Sequence, residues 1–541
     1  MQLAYPAREA RPALDVCAGP ETLGRSRALA RQIELILLWG ALLACLARLW
    51  IAPLPSSLWV DEMVTMFVVH HGSNDPSLAV APQIRNSAYY ILPRASEALF
   101  GTSEVSYRLP SVLAMAVALW LIARLAARLV HPRAGWFAAF ACLLLPGINY
   151  QADDARPYAF GTCAGAAAVW FLVRWLDEGR WRDAAWFVVC AALLWRIHLI
   201  FWPFYVVLGL YTLVRRMRGE TEVAWARIAG VFAVLSILLV PVLLSALALL
   251  KQAKAHVIAP EPNYRELKRS LQLPLPLFTA GIAFLLSRLF NWKRLRARTP
   301  AASTCLIFGW WLIPPLVLFA FSRFTGDSVF VARYLYIALP GAALVAVFAC
   351  AQFIPAGRWN QLAIVLGTVV LIGMGQWRVP SLQHNKSNWR AAAKTIDKLK
   401  LDAATPIICP SPFIEAESPV WRPDYRLPGF LYAHLPVYRL TGKPYLFPFQ
   451  PSPQAEAYAA RLSETVLDKW DRFVIYGGDH NVLFWRDWFA AHPALRAWSS
   501  RRLGPFGDVE AVVFERIRPG NIHAGVSSHA TTAASTARAG S

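Results

Sequence analysis

Charge is scarce in this chain: only 16% of its 541 residues are Asp, Glu, Lys or Arg, while 57% are hydrophobic. Soluble domains carry about 25% charged residues, so this composition argues against a simple soluble protein. Acids are the scarcer sign, 33 against 54 basic residues, which leaves a net charge of +21. The basic residues sit between apolar runs rather than along one stripe. That pattern belongs to membrane orientation and speaks against a nucleic-acid partner. Cysteine is sparse too. Of the 8 present, Cys45, Cys142, Cys163, Cys190, Cys305 and Cys350 lie inside apolar runs, and Cys409 stands nearly alone. No disulfide framework or zinc cluster follows from that spacing, and the thiols read as small packing residues. The polar N-terminal stretch holds no apolar run of the signal-peptide kind, and the first apolar segment, at Ile33, has no obvious cleavage site. Internal repeats and a His-Glu-x-x-His pair are also missing from the sequence.

Long apolar runs are what the chain has in place of charge. A spanning helix needs about 20 mostly apolar residues. The candidates are Ile33–Ile51, Leu109–Ala123, Ala134–Tyr150, Pro157–Val173, Ala184–Trp195, Leu199–Val214, Ile228–Leu250, Ser270–Ser287, Thr299–Ser322, Tyr334–Gly357 and Trp359–Trp377. Residues 184–214 can be drawn as two short spans or as one long helix. Lys and Arg concentrate in Arg124–Arg133, Arg174–Asp183, Arg215–Arg227, Arg288–Arg298 and at Arg358. With two spans and a cytoplasmic N-terminus, all of these loops fall inside, as the positive-inside rule requires. One span would place Lys293–Arg298 outside.

The expected fold is an all-α polytopic membrane protein of about 11 transmembrane helices with a small C-terminal extracytoplasmic α/β domain. Residues 1–32 form a cytoplasmic segment and 33–377 the transmembrane domain, with an outer loop at 52–108. Residues 378–518 form the outer domain, with helix text at Trp389–Leu399 and strand text at Pro406–Cys409, Phe473–Tyr476 and Glu510–Phe514. Residues 519–541 are a tail, Ala/Ser/Thr-rich from Ala524 and expected to be disordered.

Three groups of outward residues carry chemistry on this topology. Asp61 and Glu62 sit in Leu58-Trp59-Val60-Asp61-Glu62-Met63, just past the first span and before an apolar run at helical spacing. Carboxylates in a first helical turn are held ionised by the exposed amides, which suits a general base; a plain helix cap is the competing reading. Asp153, Asp154 and Arg156 occupy the short outer loop between spans three and four. Adjacent acids between apolar helices need a partner, and Arg156 is the nearest, so a structural ion pair competes with a functional one. The third group is basic: Lys251, Lys254, His256, Arg265, Lys268 and Arg269, then Arg323 and Arg333. Basic residues on the outer side run against the inside rule and call for an anionic partner, either lipid headgroups or a phosphate-bearing substrate. His198, beside Arg196 at an outer helix end, joins this group or serves as a packing residue.

Such a set fits one reaction. An acceptor hydroxyl attacking an anomeric carbon needs a base, and a leaving lipid phosphate needs cations more than a general acid. The acid–base carboxylate pair of a glycoside hydrolase is not required.

The order of these motifs resembles the integral-membrane glycosyltransferases of the GT-C fold, in particular the bacterial relatives of protein O-mannosyltransferases and of the lipid A aminoarabinose transferase. Asp61-Glu62 match the acid pair that opens the family's first outer loop. Ala88-Tyr89-Tyr90, Gly101 and Arg108-Leu109-Pro110 match the elements that follow it, and Asp154-Ala155-Arg156-Pro157-Tyr158 matches the second loop. Arg333-Tyr334, Leu339-Pro340-Gly341 and Asn388-Trp389-Arg390-Ala391-Ala392 match later elements. Asn86-Ser87 depart from the family's Pro pair.

The resemblance implies a glycosyltransferase that moves a sugar, with inversion, from a polyprenyl-phosphate donor to an extracytoplasmic hydroxyl of a glycan, lipid or protein. It implies catalytic roles for Asp61, Glu62 and Asp154. Substrate contacts fall to Tyr89, Tyr90, Asp153, Arg156, His198, Lys251, Lys254, Arg265, Arg333 and Tyr334. No cofactor or metal ligand is expected, a divalent metal staying open, and the implied location is the bacterial cell inner membrane. A transporter or flippase of lipid-linked sugars is the alternative. Transporters place ionisable groups near the bilayer midplane, whereas the acids here stand at span ends.

Overall fold

The computed structural model describes residues 20–81, 84, 87–253, 260–292, 299–373, 383–417, 420–422 and 429–517. Lys254, the side chain of Lys251, the run Lys293–Arg298 and the tail 519–541 lie outside the described residues. Two compact units emerge: residues up to 54 with 108–382, and residues 55–107 with those from 383 onward. The loop expected to belong with the transmembrane domain thus packs with the C-terminal residues. The reason is a set of polar ties described below.

The first unit is helical and polytopic. Among the described residues, 7 helices are long and apolar enough to cross a membrane, or 8 if the bent pair Tyr264–Ser270 and Pro274–Leu289 counts as one span. The remaining expected spans are shorter helices. The stretch Ala134–Tyr150 is two, Gly135–Leu143 and Pro146–Ala152. Pro146 has no N–H to continue the first helix and is pre-set to begin the second. Residues 184–214 are also two helices, Trp181–Ile197 and Phe204–Met217, broken at His198.

Tyr158–Glu178 packs against Trp181–Ile197, and Ala301–Thr325 against both Phe204–Met217 and Leu339–Cys350. Leu339–Cys350 is buried almost all round, which places it at the centre of the unit. A Cβ on its Gly341 would stand 2.4 Å from the backbone nitrogen of Trp311. Only glycine lets the two backbones approach so closely. Ion pairs gather the loops expected on the inner side: Arg128 with Asp177 and Glu178, Arg215 with Asp177, and Arg174 with Asp183.

The second unit is built on a five-stranded sheet: β1 (Pro406–Pro410), β2 (Lys443–Phe447), β3 (Arg472–Gly478), β4 (Trp498–Arg502) and β5 (Val509–Arg516), in the order β2-β1-β3-β5-β4. β2, β1 and β3 run parallel, and β5 and β4 are antiparallel additions. The central strands β1, β3 and β5 are buried nearly end to end, covered by helices such as Asp479–Ala491. Such continuous apolar runs are what buried strands require.

Candidate active site

In the second unit, Asp61 and Glu62 stand in the first turn of the helix Val60–His71, as the sequence suggested. Glu62 is fully buried, and its Oε2 accepts from the Trp59 N–H at 3.2 Å. That bond satisfies a donor the helix itself cannot, so Glu62 fixes the helix start. Asp61, one residue earlier, is half-buried.

A polar network the sequence did not reveal holds this turn. The Tyr438 hydroxyl accepts from the Leu58 N–H at 2.8 Å and donates to Glu104 Oε1 at 3.0 Å. Arg390 pairs with the same Glu104 and reaches the Pro55 carbonyl at 3.0 Å. The Ser56 and Ser57 hydroxyls accept from the amides of His384 and Arg390. The signal for Arg390 was its place in the Asn388-Trp389-Arg390 element; nothing local marked Tyr438 or Glu104. Tyr89 is buried in a short turn capped by the Ser87 hydroxyl, with the Tyr90 ring 5.1 Å away.

In the first unit, the Pro146–Ala152 and Tyr158–Glu178 helices bracket the acidic turn. Asp153 and Asp154 are both buried, and Arg156 closes the turn through its N–H to the Asp154 carbonyl at 2.8 Å. The Tyr158, His198 and Tyr334 rings meet next to it, with centroids 5.5–6.2 Å apart. The Arg333 guanidinium lies 5.6 Å over Tyr334, within cation–π reach. Gly161 makes room for this packing, since a Cβ there would stand 2.1 Å from the Phe201 ring.

His198 connects the group. Its Nδ1 accepts from the Ile200 N–H at 3.2 Å, which leaves the ring proton on Nε2. Burial first, then the charges of Arg156 and Arg333, hold this imidazole well below its usual range, at about 3. It is therefore a neutral donor between two cations. Arg156, His198, Arg333 and Tyr334 thus form one group near Asp154, with Asp153 adjacent to Asp154 in the same turn.

Beside it opens a chamber of about 390 Å³ lined by Gly147, Glu266, Arg269, Ser270, Gln272 and Tyr336, among others. Arg265 is exposed on the same short helix, with its N–H capped by Asn263. Arg269, one turn on, is the basic residue of that loop that lines the chamber. Tyr336 and Gln272 were missed, because a lone Tyr or Gln at a span end carries no pattern. Arg323 is taken up by Glu261 at 2.8 Å. Arg108 is fully buried and donates to the Leu54 carbonyl at 2.9 Å, a structural reason for the Arg108-Leu109-Pro110 element. Farther along the first unit lies an apolar groove of about 400 Å³ between Pro274–Leu289 and Trp359–Gly373.

Residues 88–244 match the family model described as dolichyl-phosphate-mannose-protein mannosyltransferase. No curated protein matches significantly. Among solved structures, ArnT from Cupriavidus metallidurans in the apo state is similar over 90% of this chain and 98% of that one, at 12% identity and a TM-score of 0.51. The same protein bound to undecaprenyl phosphate aligns over 88% and 97%, at 12% identity and a TM-score of 0.50. At such identity the likeness is one of fold.

Proposed function

We propose that this chain, a multi-pass membrane glycosyltransferase of the GT-C type, takes its sugar from a polyprenyl-phosphate carrier and passes it with inversion to an acceptor hydroxyl on the outer face of the bacterial inner membrane. The observation that carries this reading is the group of Arg156, Arg333 and neutral His198 beside the buried Asp154 turn. A sugar phosphate diester needs cations and fixed donors where its phosphate lies, and this group supplies them on rigid helix ends. The relative crystallised with undecaprenyl phosphate supports the carrier class. The apolar groove has the lining a prenyl chain would need.

In this reading Asp61 is the base. It takes the proton as the acceptor oxygen bonds to the anomeric carbon from the face opposite the phosphate. The carbon–oxygen bond to the phosphate breaks, and the lipid phosphate leaves as an anion held by Arg156 and Arg333, with His198 donating through Nε2. A stable phosphate anion needs no proton to depart, so one carboxylate base suffices. Asp153 and Asp154 orient the sugar or the acceptor. Tyr89 and Tyr90 shape the acceptor side. No resident metal is part of the proposal.

The test is incubation of the purified chain with polyprenyl-phosphate sugars and acceptor lipids or glycans, followed by measurement of released lipid phosphate. Asp61→Asn is expected to lower turnover by on the order of 100-fold or more while carrier binding persists. Bound carrier without turnover in the unaltered protein, across the sugar carriers tried, would count against the assignment. So would an Asp61→Asn variant as fast as wild type.

A further inference from the structure

A second pocket, of about 490 Å³, lies in the second unit at the opposite end of the helix that carries Asp61. Phe67, His70, His71, Thr102, Val437 and Arg439 are among its lining residues. None of them has a part in the proposed transfer, and the pocket's volume falls in the range of small-molecule sites.

Its two histidines are fixed in complementary ways. His70 Nε2 lies 2.5 Å from Glu97 Oε1 and 3.2 Å from the Tyr107 hydroxyl. Glu97 also accepts from the Thr102 hydroxyl at 2.9 Å. Partial burial pushes the Glu97 carboxyl up, but the bonds from Thr102, His70 and Tyr107 win and hold it below its ordinary value. An ionised carboxylate only accepts, so the proton of His70 sits on Nε2. His71 Nδ1 faces the Phe67 carbonyl at 3.1 Å, with its ring stacked on Phe67 at 4.3 Å. A carbonyl also only accepts, so Nδ1 carries the His71 proton.

Each ring thus spends one N–H on a fixed acceptor and keeps its second nitrogen uncommitted among the described residues. A second proton on either ring makes an oriented imidazolium. Both histidines stand in the last turn of their helix, where the backbone dipole favours positive charge. Arg439 adds a permanent charge: it is exposed and makes no ion pair among the described residues. The local carboxylate, Glu97, is already engaged by three donors, so it does not neutralise Arg439.

We propose that this pocket binds a phosphate group, with Arg439 as its point charge and His70 and His71, each protonated at its second nitrogen, as its oriented donors. The phosphate is carried either by a lipid headgroup or by a soluble phosphorylated glycan, since both present the same oxygens to the same cup. Guanidinium and imidazolium are usual partners of a phosphate.

The experiment uses the full chain in nanodiscs and reads the carbethoxylation rates of His70 and His71 by peptide mass spectrometry. In neutral-lipid discs, inorganic phosphate is expected to slow both rates several-fold relative to chloride at matched ionic strength. In discs containing phosphatidic acid, protection without added phosphate would assign the headgroup as the source; protection by soluble phosphate alone would assign the soluble one. Arg439→Ala, an exposed substitution, should abolish the protection, and Arg439→Lys should retain part of it. Equal rates in every arm would overturn the proposal, as would protection that survives Arg439→Ala.

Discussion

Desolvation is the first cause that holds two histidines neutral. For His198 the charges of Arg156 and Arg333 add to it, and the Ile200 N–H at Nδ1 leaves Nε2 as the donor. His434, in the second unit, is enclosed by Trp389 at 5.0 Å and Tyr476 at 5.9 Å. Neither of its ring nitrogens has a partner among the described residues, and burial lowers it from 6.5 to about 3. The sign of the consequence follows from proton counting. Between pH 6.5 and 3 the unfolded chain binds a proton at this position that the folded chain refuses. Stability from this group is therefore present above pH 6.5 and lost as pH falls toward 3, by at most about 1.4 kcal/mol per pH unit. His434→Leu, close in volume, removes both the titration and the two orphaned nitrogens. Thermal unfolding of the second unit should decline less steeply between pH 7 and pH 4 in that variant than in wild type. Parallel declines would show that the acid sensitivity arises elsewhere.

At the scale of elements, the helix bearing Asp61 is aimed by contacts distant in sequence. Tyr438 ties the Leu58 N–H to Glu104, and Arg390 ties Glu104 to the Pro55 carbonyl. Tyr438→Phe leaves the Leu58 N–H without its acceptor, at a cost of about 1 kcal/mol. If Asp61 is the base, this loosening should lower kcat while leaving carrier affinity near wild type, because Tyr438 touches neither substrate in the proposal. An unchanged kcat would separate the network from the chemistry. The helix itself was legible in the sequence, and so was the acidic turn, because hydropathy and local charge mark both. The predicted strands 406–409, 473–476 and 510–514 became β1, β3 and β5 for the same reason: they are buried, and burial writes an apolar run. β2 and β4 went unread. They are the edges of the sheet, and β4, Trp-Ser-Ser-Arg-Arg, exposes all but its first residue. An edge strand owes its existence to a neighbour's hydrogen bonds, which leave no mark on its composition. Tyr438 and Glu104 were illegible likewise, since their partners lie 380 and 334 residues apart in the chain.

For the whole molecule, the second unit imposes a condition on the first. Residues 55–107 and the chain from 383 onward share one compact unit, so both must lie on one side of the bilayer. The number of crossings between Arg108 and Leu382 is then even. The sequence reading meets this condition, since it draws ten spans in that interval and one before it. The ion pairs that join Arg128, Asp177 and Arg215 put three loops on one face as well. The orientation with a cytoplasmic N-terminus predicts these loops inside and residues 55–107 and 383–517 outside. Single cysteines test this in spheroplasts with a membrane-impermeant maleimide: Asn74→Cys, Glu464→Cys and Arg218→Cys are all at exposed positions. The native cysteines among the described residues are buried or half-buried, so wild type serves as the blank. The first two sites should label from outside, and Arg218→Cys only after the membrane is permeabilised. Opposite labelling of the first two would break the compact unit itself. Labelling of all three from outside would overturn the orientation with a cytoplasmic N-terminus and the loop at Arg218 inside.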